Sequence, residues 1–207
     1  MRPIDGYEQA PAFTGETISL PAGLYKLVIK QANVIQDKQN REMMVLCFDI
    51  VEGSQKDGYI GVNSDYKDFY DKQFRLRKQS DPNTKWGGIY RQLTHGDSLP
   101  FFKGLMTSIE KSNPSYRWNW DERTLVGKFV GGIFQREEFE TSDGQKKMAT
   151  KCVQIRSLDG LKDAKIPADN LLTVTTSLTG NNQPPSMMDQ GLVNVPDNVP
   201  DEGIPFM

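Results

Sequence analysis

The sequence is poor in the residues that most often carry chemistry. Its 207 residues include two cysteines, Cys47 and Cys152, and one histidine, His95. Each cysteine sits inside an apolar, strand-like run, which predicts buried thiols in a reducing compartment rather than a disulfide framework or a zinc site. One histidine excludes multi-histidine metal centres and any paired-histidine mechanism. His95 itself stands between Thr94 and Gly96 in a polar stretch, the setting of a solvent-facing or capping residue. The Gly-x-Ser-x-Gly elbow of a serine hydrolase is missing, and so is the phosphate-cradling Gly-x4-Gly-Lys-Ser/Thr loop. No stretch approaches the ~18 consecutive apolar residues of a membrane span. The opening Met1-Arg2-Pro3-Ile4-Asp5 lacks the basic region and apolar run of a secretory signal. These absences predict a cytoplasmic protein that is not an enzyme, needs no cofactor or metal and has no membrane partner.

What is present suffices for a core: 37% of the residues are hydrophobic, and there are 18 glycines besides. Charge is unevenly placed. From residue 168 onward there is no Lys or Arg, while Asp169, Asp189, Asp197, Asp201 and Glu202 carry −5. The first twenty residues set Arg2 against Asp5, Glu8 and Glu16. Everything between holds 24 of the 25 basic residues against 19 acidic ones, a net of +5. A basic body with an acidic tail suits a polyanionic partner.

Periodicity organises that body into strands. Leu24–Ile35 alternates, with Tyr25, Leu27 and Ile29 on one face. After the polar turn Asp37-Lys38-Gln39-Asn40, Glu42–Val51 is apolar on both faces and reads as a central strand. A short third strand is expected near Gly58, in Gly-Tyr-Ile-Gly-Val-Asn. Pro100–Ser112 reads as a helix, with Phe102, Leu105, Met106 and Ile109 on one face and Pro100 in its first turn. Two more strands follow, within Thr124–Glu140 and Lys147–Leu158, joined by Ser142-Asp143-Gly144. Gly127, Gly131 and Gly132 in the first of them suggest bulges or sharp coiling. The order β-β-β-α-β-β predicts an all-β chain with one main helix, a five-stranded OB-fold barrel carrying an aromatic and basic insertion. The expected organisation is an N-terminal arm over 1–20, the OB-fold over 21–167 and a disordered acidic tail over 168–207. Six of the twelve prolines lie from Pro167 onward, and one docked stretch is expected near Leu171–Val174.

The insertion carries the strongest functional signal. Tyr66, Phe69, Tyr70, Phe74, Arg75, Arg77, Lys85, Trp86, Tyr90 and Arg91 interleave rings with cations. Single-stranded nucleic acids are held by such a mixture, because rings stack on bases of any identity and cations neutralise phosphates. The other reading is a satellite core whose cations solubilise it, and composition leaves both open. Gly87 and Gly88 beside Trp86 would let a nucleic acid approach the backbone closely. A second set is Lys128, Phe134, Arg136, Lys151 and Arg156, of which Lys128, Phe134 and Arg136 share parity on an unbulged strand. Tyr116, Arg117, Trp118, Asn119 and Trp120 read as an aromatic packing plug. Asp65, Asp68 and Asp71 recur every three residues, but a solvated face is expected there rather than a metal site, since the aromatics between them give no clean helical stripe.

The final residues, Asp201, Glu202, Gly203, Ile204, Pro205 and Phe206 before Met207, place acids ahead of an apolar tip. This resembles the acidic Asp-Asp-Asp-Ile-Pro-Phe ending of bacterial single-stranded DNA-binding proteins, which recruits replication and repair partners. In the body, LPAGLYKLVIKQANV, MMVLCFDIVEG and LVGKFVGGIFQREEFETSDGQKK resemble the single-stranded DNA-binding proteins of bacteriophages infecting Gram-positive bacteria. The resemblance spans roughly residues 20–165 and implies an OB-fold, no catalysis and work in phage replication or recombination in the host cytoplasm. The expected partners are single-stranded DNA, and replication or recombination proteins held through Asp201, Glu202, Ile204, Pro205 and Phe206, with homo-oligomerisation as a further possibility. Two other classes compete: a metal-dependent nuclease built on Asp65, Asp68 and Asp71, and an interaction or virion protein without nucleic-acid contact.

Overall fold

A computed structural model describes residues 2, 3, 5, 7, 19–51 and 66–172. Strand β1 spans Gly23–Gln36 and β2 Glu42–Ile50, followed by helix α1 over Phe69–Ser80 and strand β3 over Ile89–Leu93. Helix α2 covers Leu99–Ser112, extended at its start by a 3-10 turn over Gly96–Ser98. Strands β4 (Phe129–Glu140) and β5 (Lys146–Arg156) and the short helix α3 (Leu158–Lys162) complete the order. The five strands form one antiparallel sheet in the order β3-β2-β1-β4-β5.

β1 makes this sheet possible because it is long enough to pair on both edges. Leu27–Gln36 lies against β2, and Gly23–Val28 against β4. The register shifts between Ile29 and Gln31, where an extra residue lets the strand bend. The bend brings the two ends of the sheet round, and β3 and β5 approach within 8 Å, Cα to Cα. Inside the curve pack Tyr25, Leu27 and Ile29 of β1, Met44, Leu46, Phe48 and Ile50 of β2, and Val130 and Phe134 of β4. Helix α2 joins this core with the face expected from its spacing, Phe102, Leu105, Met106 and Ile109. Phe134 is the hub: its ring meets those of Tyr25 at 5.0 Å and Phe48 at 5.9 Å, both edge-on, a favoured aromatic geometry. A smaller cluster of Leu24, Ile133 and Leu161 fixes α3 to the outer face.

The described strands follow the alternation closely, and a strand and a helix that it does not announce stand beside them. The stretch expected as a third strand near Gly58 lies outside the described residues. The third strand of the sheet is Ile89–Leu93, five residues at the end of the aromatic and basic segment. That segment also holds a helix, α1, which the spacing does not reveal. Its buried residues are only Phe69 and Tyr70, and Leu76 is exposed, so no apolar stripe runs its length. Finally, the ordered body passes Pro167. Asn170 N–H donates to the Arg136 carbonyl and Glu138 N–H to the Asn170 carbonyl, so the chain adds a short parallel rung to β4. Asn170 and Leu172 thus dock on β4, at the start of the docked stretch expected near Leu171–Val174, and 173–207 lie outside the described residues. Among the described residues no helix is long and apolar enough to cross a membrane.

The strand glycines permit close packing. A Cβ on Gly132 would stand 2.5 Å from Leu27 Cδ1, and one on Gly131 2.9 Å from Leu161 Cδ2. Tighter still is Gly88, just ahead of β3, where a Cβ would run into the Phe48 carbonyl oxygen and stand 2.7 Å from the Tyr70 ring. Gly88 thus makes room for Tyr70 and for a backbone hydrogen bond from Phe48 N–H to its own carbonyl, not for a nucleic acid. Replacing Gly88 with alanine should lower stability by about 1–3 kcal/mol, the usual cost of overpacking. Denaturant titration would measure this, and an unchanged midpoint would contradict the packing described.

Candidate nucleic-acid interface

The aromatic and basic segment divides into an inner and an outer layer. Asp49, fully buried on β2, anchors the division. Its carboxylate accepts backbone N–H bonds from Tyr70 at 3.0 Å and Asp71 at 3.1 Å, besides its neighbour Ile50 at 2.8 Å. The first-turn amides of α1 are thereby satisfied from another element, since Asp68 before the helix makes no side-chain cap. Burial raises the Asp49 carboxyl above its ordinary value, and the three N–H groups pull it back down.

The inner layer takes most of the rings. Phe69 and Tyr70 are each 8% exposed, Trp86 6% and Phe134 0%. The Trp86 indole N–H donates to the Phe48 carbonyl at 2.9 Å. Tyr70 meets Phe48 edge-on at 5.6 Å, and burial pushes its phenol well above the ordinary range. Tyr90 is half-buried on β3 with its hydroxyl on Gln92 Oε1 at 3.4 Å. Tyr66 is half-buried, edge-on to Tyr25 and Phe69 at 6.4 Å each. The expectation that Phe69, Tyr70, Trp86 and Phe134 stack on bases is therefore corrected. A ring can stack only if one of its faces is open to the ligand, and these four pack in the core. The satellite-core reading holds for them: Asp49 pins the start of α1 so that Phe69 and Tyr70 turn inward, the Phe48 carbonyl holds Trp86, and Phe134 points inward from β4.

The outer layer keeps the cations. Lys72, Arg75, Arg77 and Lys78 project from α1, and Lys85 from the loop after it, all exposed. Arg75 reaches Asp71 at 2.8 Å and Arg77 the Gln73 amide oxygen at 3.4 Å. Phe74 is half-buried between the layers, its ring 5.5 Å from Trp86 and the Lys78 ammonium 5.1 Å from its centre. Of the three aspartates, Asp71 pairs with Arg75, and Asp68 takes a left-handed backbone conformation with φ 53° just before the helix. Asp65 lies outside the described residues, among which no group of three or more His, Cys, Asp or Glu gathers to hold a metal.

The second set does not form one face. Phe134 points into the core, whereas Arg136 is exposed and stands 3.6 Å from Asp169. Lys128 lies over the Tyr116 ring at 5.0 Å, ahead of β4. Lys151 pairs with Glu137 at 3.1 Å, and Arg156 Nε donates to Gln154 at 3.3 Å. Shared parity does not make a common face here, because Lys128 lies ahead of β4 and Arg136 lies beyond Phe134, where the pairing of β4 with β1 ends. Arg91 lies apart, on β3 opposite Val45. Two residues distant in sequence do meet: Tyr66 and Arg136 line one cavity of about 490 Å³ with Leu20, Met148 and Thr150. Of the proposed aromatic plug, Tyr116 is buried and Trp120 is not, being 79% exposed. The signal for that exposure is its setting, Arg-Trp-Asn-Trp-Asp-Glu-Arg, with polar residues on either side. Asp201, Glu202, Ile204, Pro205 and Phe206 lie outside the described residues.

No family model matches the chain, and no curated protein matches its sequence.

Trp86→Ala should cost about 3–5 kcal/mol through lost core packing, besides leaving the Phe48 carbonyl without its indole partner. Thermal unfolding measures it. A stable variant with unchanged melting temperature would return Trp86 to the surface.

Proposed function

We propose that the chain binds single-stranded DNA with little regard to sequence, through an OB-type body and without catalysis. The observation that carries this reading is the set of exposed cations around α1, with Lys72, Arg75, Arg77 and Lys78 on the helix and Lys85 just beyond it. The sheet order and the approach of β3 to β5 support the OB-type part, since that architecture closes its first three strands against its last two. The main helix between β3 and β4 fits the same plan.

The cations of α1 would neutralise backbone phosphates and release their counterions, the main source of affinity in such complexes. Asp49 makes the helix a fixed platform rather than a loose arm, so the charges are held in place before binding. Half-buried Phe74, beneath Lys78, is the ring best placed among those cations to touch a base. The tip Asp201, Glu202, Ile204, Pro205 and Phe206 is proposed to hold a replication or recombination partner, in keeping with the phage-type resemblance. Acids there would steer the encounter and the apolar residues anchor it. Deleting 191–207 should abolish capture of such a partner and leave folding and DNA binding intact. A loss of DNA binding would place the tip in the DNA-binding body instead.

A titration of single-stranded DNA, duplex DNA and RNA at two salt concentrations tests the main claim. Single strands should bind best, with a log–log salt slope near ~−3 if about four phosphates are contacted, at roughly −0.7 each. Equal affinity for a duplex of the same length, or a slope of zero, would overturn it. Arg77→Glu with Lys78→Glu should flatten the slope by roughly half and weaken low-salt binding at least about tenfold, without changing the melting temperature. Full affinity in that double variant would move the phosphate track away from α1.

A further inference from the structure

Three features lie apart from the cations of α1: the cavity at Tyr66 and Arg136, the Thr94 hydroxyl between Glu42 and His95, and the connection from α2 to β4. The connection carries the most. Trp120 is 79% exposed, more than any other large hydrophobic residue among those described. Its φ of 66° lies in the left-handed region, which is unfavourable for a residue with a Cβ.

The unusual conformation is built in by the residues on either side. Asp121 N–H donates to Asn119 Oδ1 at 3.2 Å, and Arg123 N–H to Asp121 Oδ1 at 3.1 Å. The Thr124 hydroxyl bonds both Asn119 Oδ1 and the Asp121 carbonyl. Behind Trp120 stands Trp118, its ring 6.0 Å away and its backbone N–H bonded to Glu110 of α2 at 2.8 Å. The indole is thus held outward on a rigid turn, backed by a second ring that is tied to the main helix. An indole so exposed gains almost nothing from burial, so folding does not repay the backbone conformation. Two charges on the same connection suit a phosphate chain. Arg117 donates to the Pro114 and Tyr116 carbonyls, and Lys128 lies over the Tyr116 ring. Neither pairs with a carboxylate among the described residues.

We propose that Trp120 is a stacking platform for a base of the bound single strand, with Arg117 and Lys128 holding the adjoining phosphates. This rests on the single-strand reading and adds a contact that the cations of α1 do not supply. An indole needs only the flat face of a base, so the contact tolerates any sequence.

The test uses the full chain and a thymidylate oligomer of about twenty nucleotides, long enough to fill a site of the ~4–16 nucleotides that an OB fold occupies. Indole emission should be quenched on binding, and Trp120→Phe should remove most of the quenching while keeping most of the affinity. Trp120→Ala should weaken binding roughly 5- to 150-fold, as expected for one lost stacking contact. Trp120→Gly should bind as weakly yet melt no lower than the wild type, because glycine accepts the left-handed turn. A packing role predicts the reverse, a lower melting temperature with unchanged affinity, and would overturn the proposal. So would a Trp120→Ala variant that keeps its affinity but changes oligomeric mass, which would give the indole to a second copy of the chain. If the wild type fails to bind the oligomer, the single-strand reading falls and takes this inference with it. If the wild type binds, Arg77→Glu with Lys78→Glu weakens it and Trp120→Ala does not, the platform alone is refuted.

Discussion

A carboxylate without solvent ties helix α1 to the sheet. Asp49 has no exposed surface and lies among apolar neighbours on β2, a costly place for an acid unless it is well bonded. It takes the N–H groups of Tyr70 and Asp71, which α1 cannot satisfy within its own first turn. The pairing solves two problems at once, a buried charge and a frayed helix start. Because it fixes the start of α1 against β2, it also decides which side of the helix meets the sheet. Tyr70 goes in against Phe48, and Arg75 and Lys78 stay out.

The coiling of β1 plays the same part for the rest of the sheet. One strand of 14 residues serves β2 along most of its length and β4 along its first half. The extra residue between Ile29 and Gln31 allows the turn of direction, and Gly132 lets Leu27 press close to β4. Phe134 then reaches Tyr25 and Phe48 together, so the core spans strands that are not neighbours in the sheet. Packing of this kind makes the body a rigid support on which exposed residues keep fixed positions.

The three tryptophans show how little a residue type says of its role. Trp86 is buried with its N–H on a backbone carbonyl, Trp118 is half-buried and backs its neighbour, and Trp120 stands in solvent. In sequence, the basic neighbour and paired glycines of Trp86 favoured exposure, and the crowding of Trp118 and Trp120 favoured burial. The glycines in fact admit Tyr70, and the polar turn at Asn119–Asp121 turns Trp120 outward.

Local pattern was enough to determine β1, β2, α2 and the β4–β5 hairpin, because a half-buried strand or helix writes its period into the sequence. The basic body and the acidic end were equally legible, since charge is counted and not folded. Tertiary structure alone decided the fate of the segment between Tyr66 and Arg91. Helix α1 has too few buried residues to announce itself, and its inward face is selected by a bond to Asp49, about twenty positions earlier in the chain. Parity likewise could not align Lys128, Phe134 and Arg136, because where β4 starts and where its pairing with β1 ends are set by the partner strand. Alternation tells which residues share a face. Which face meets the core, and which ring is left open to a ligand, depends on contacts between elements far apart in sequence.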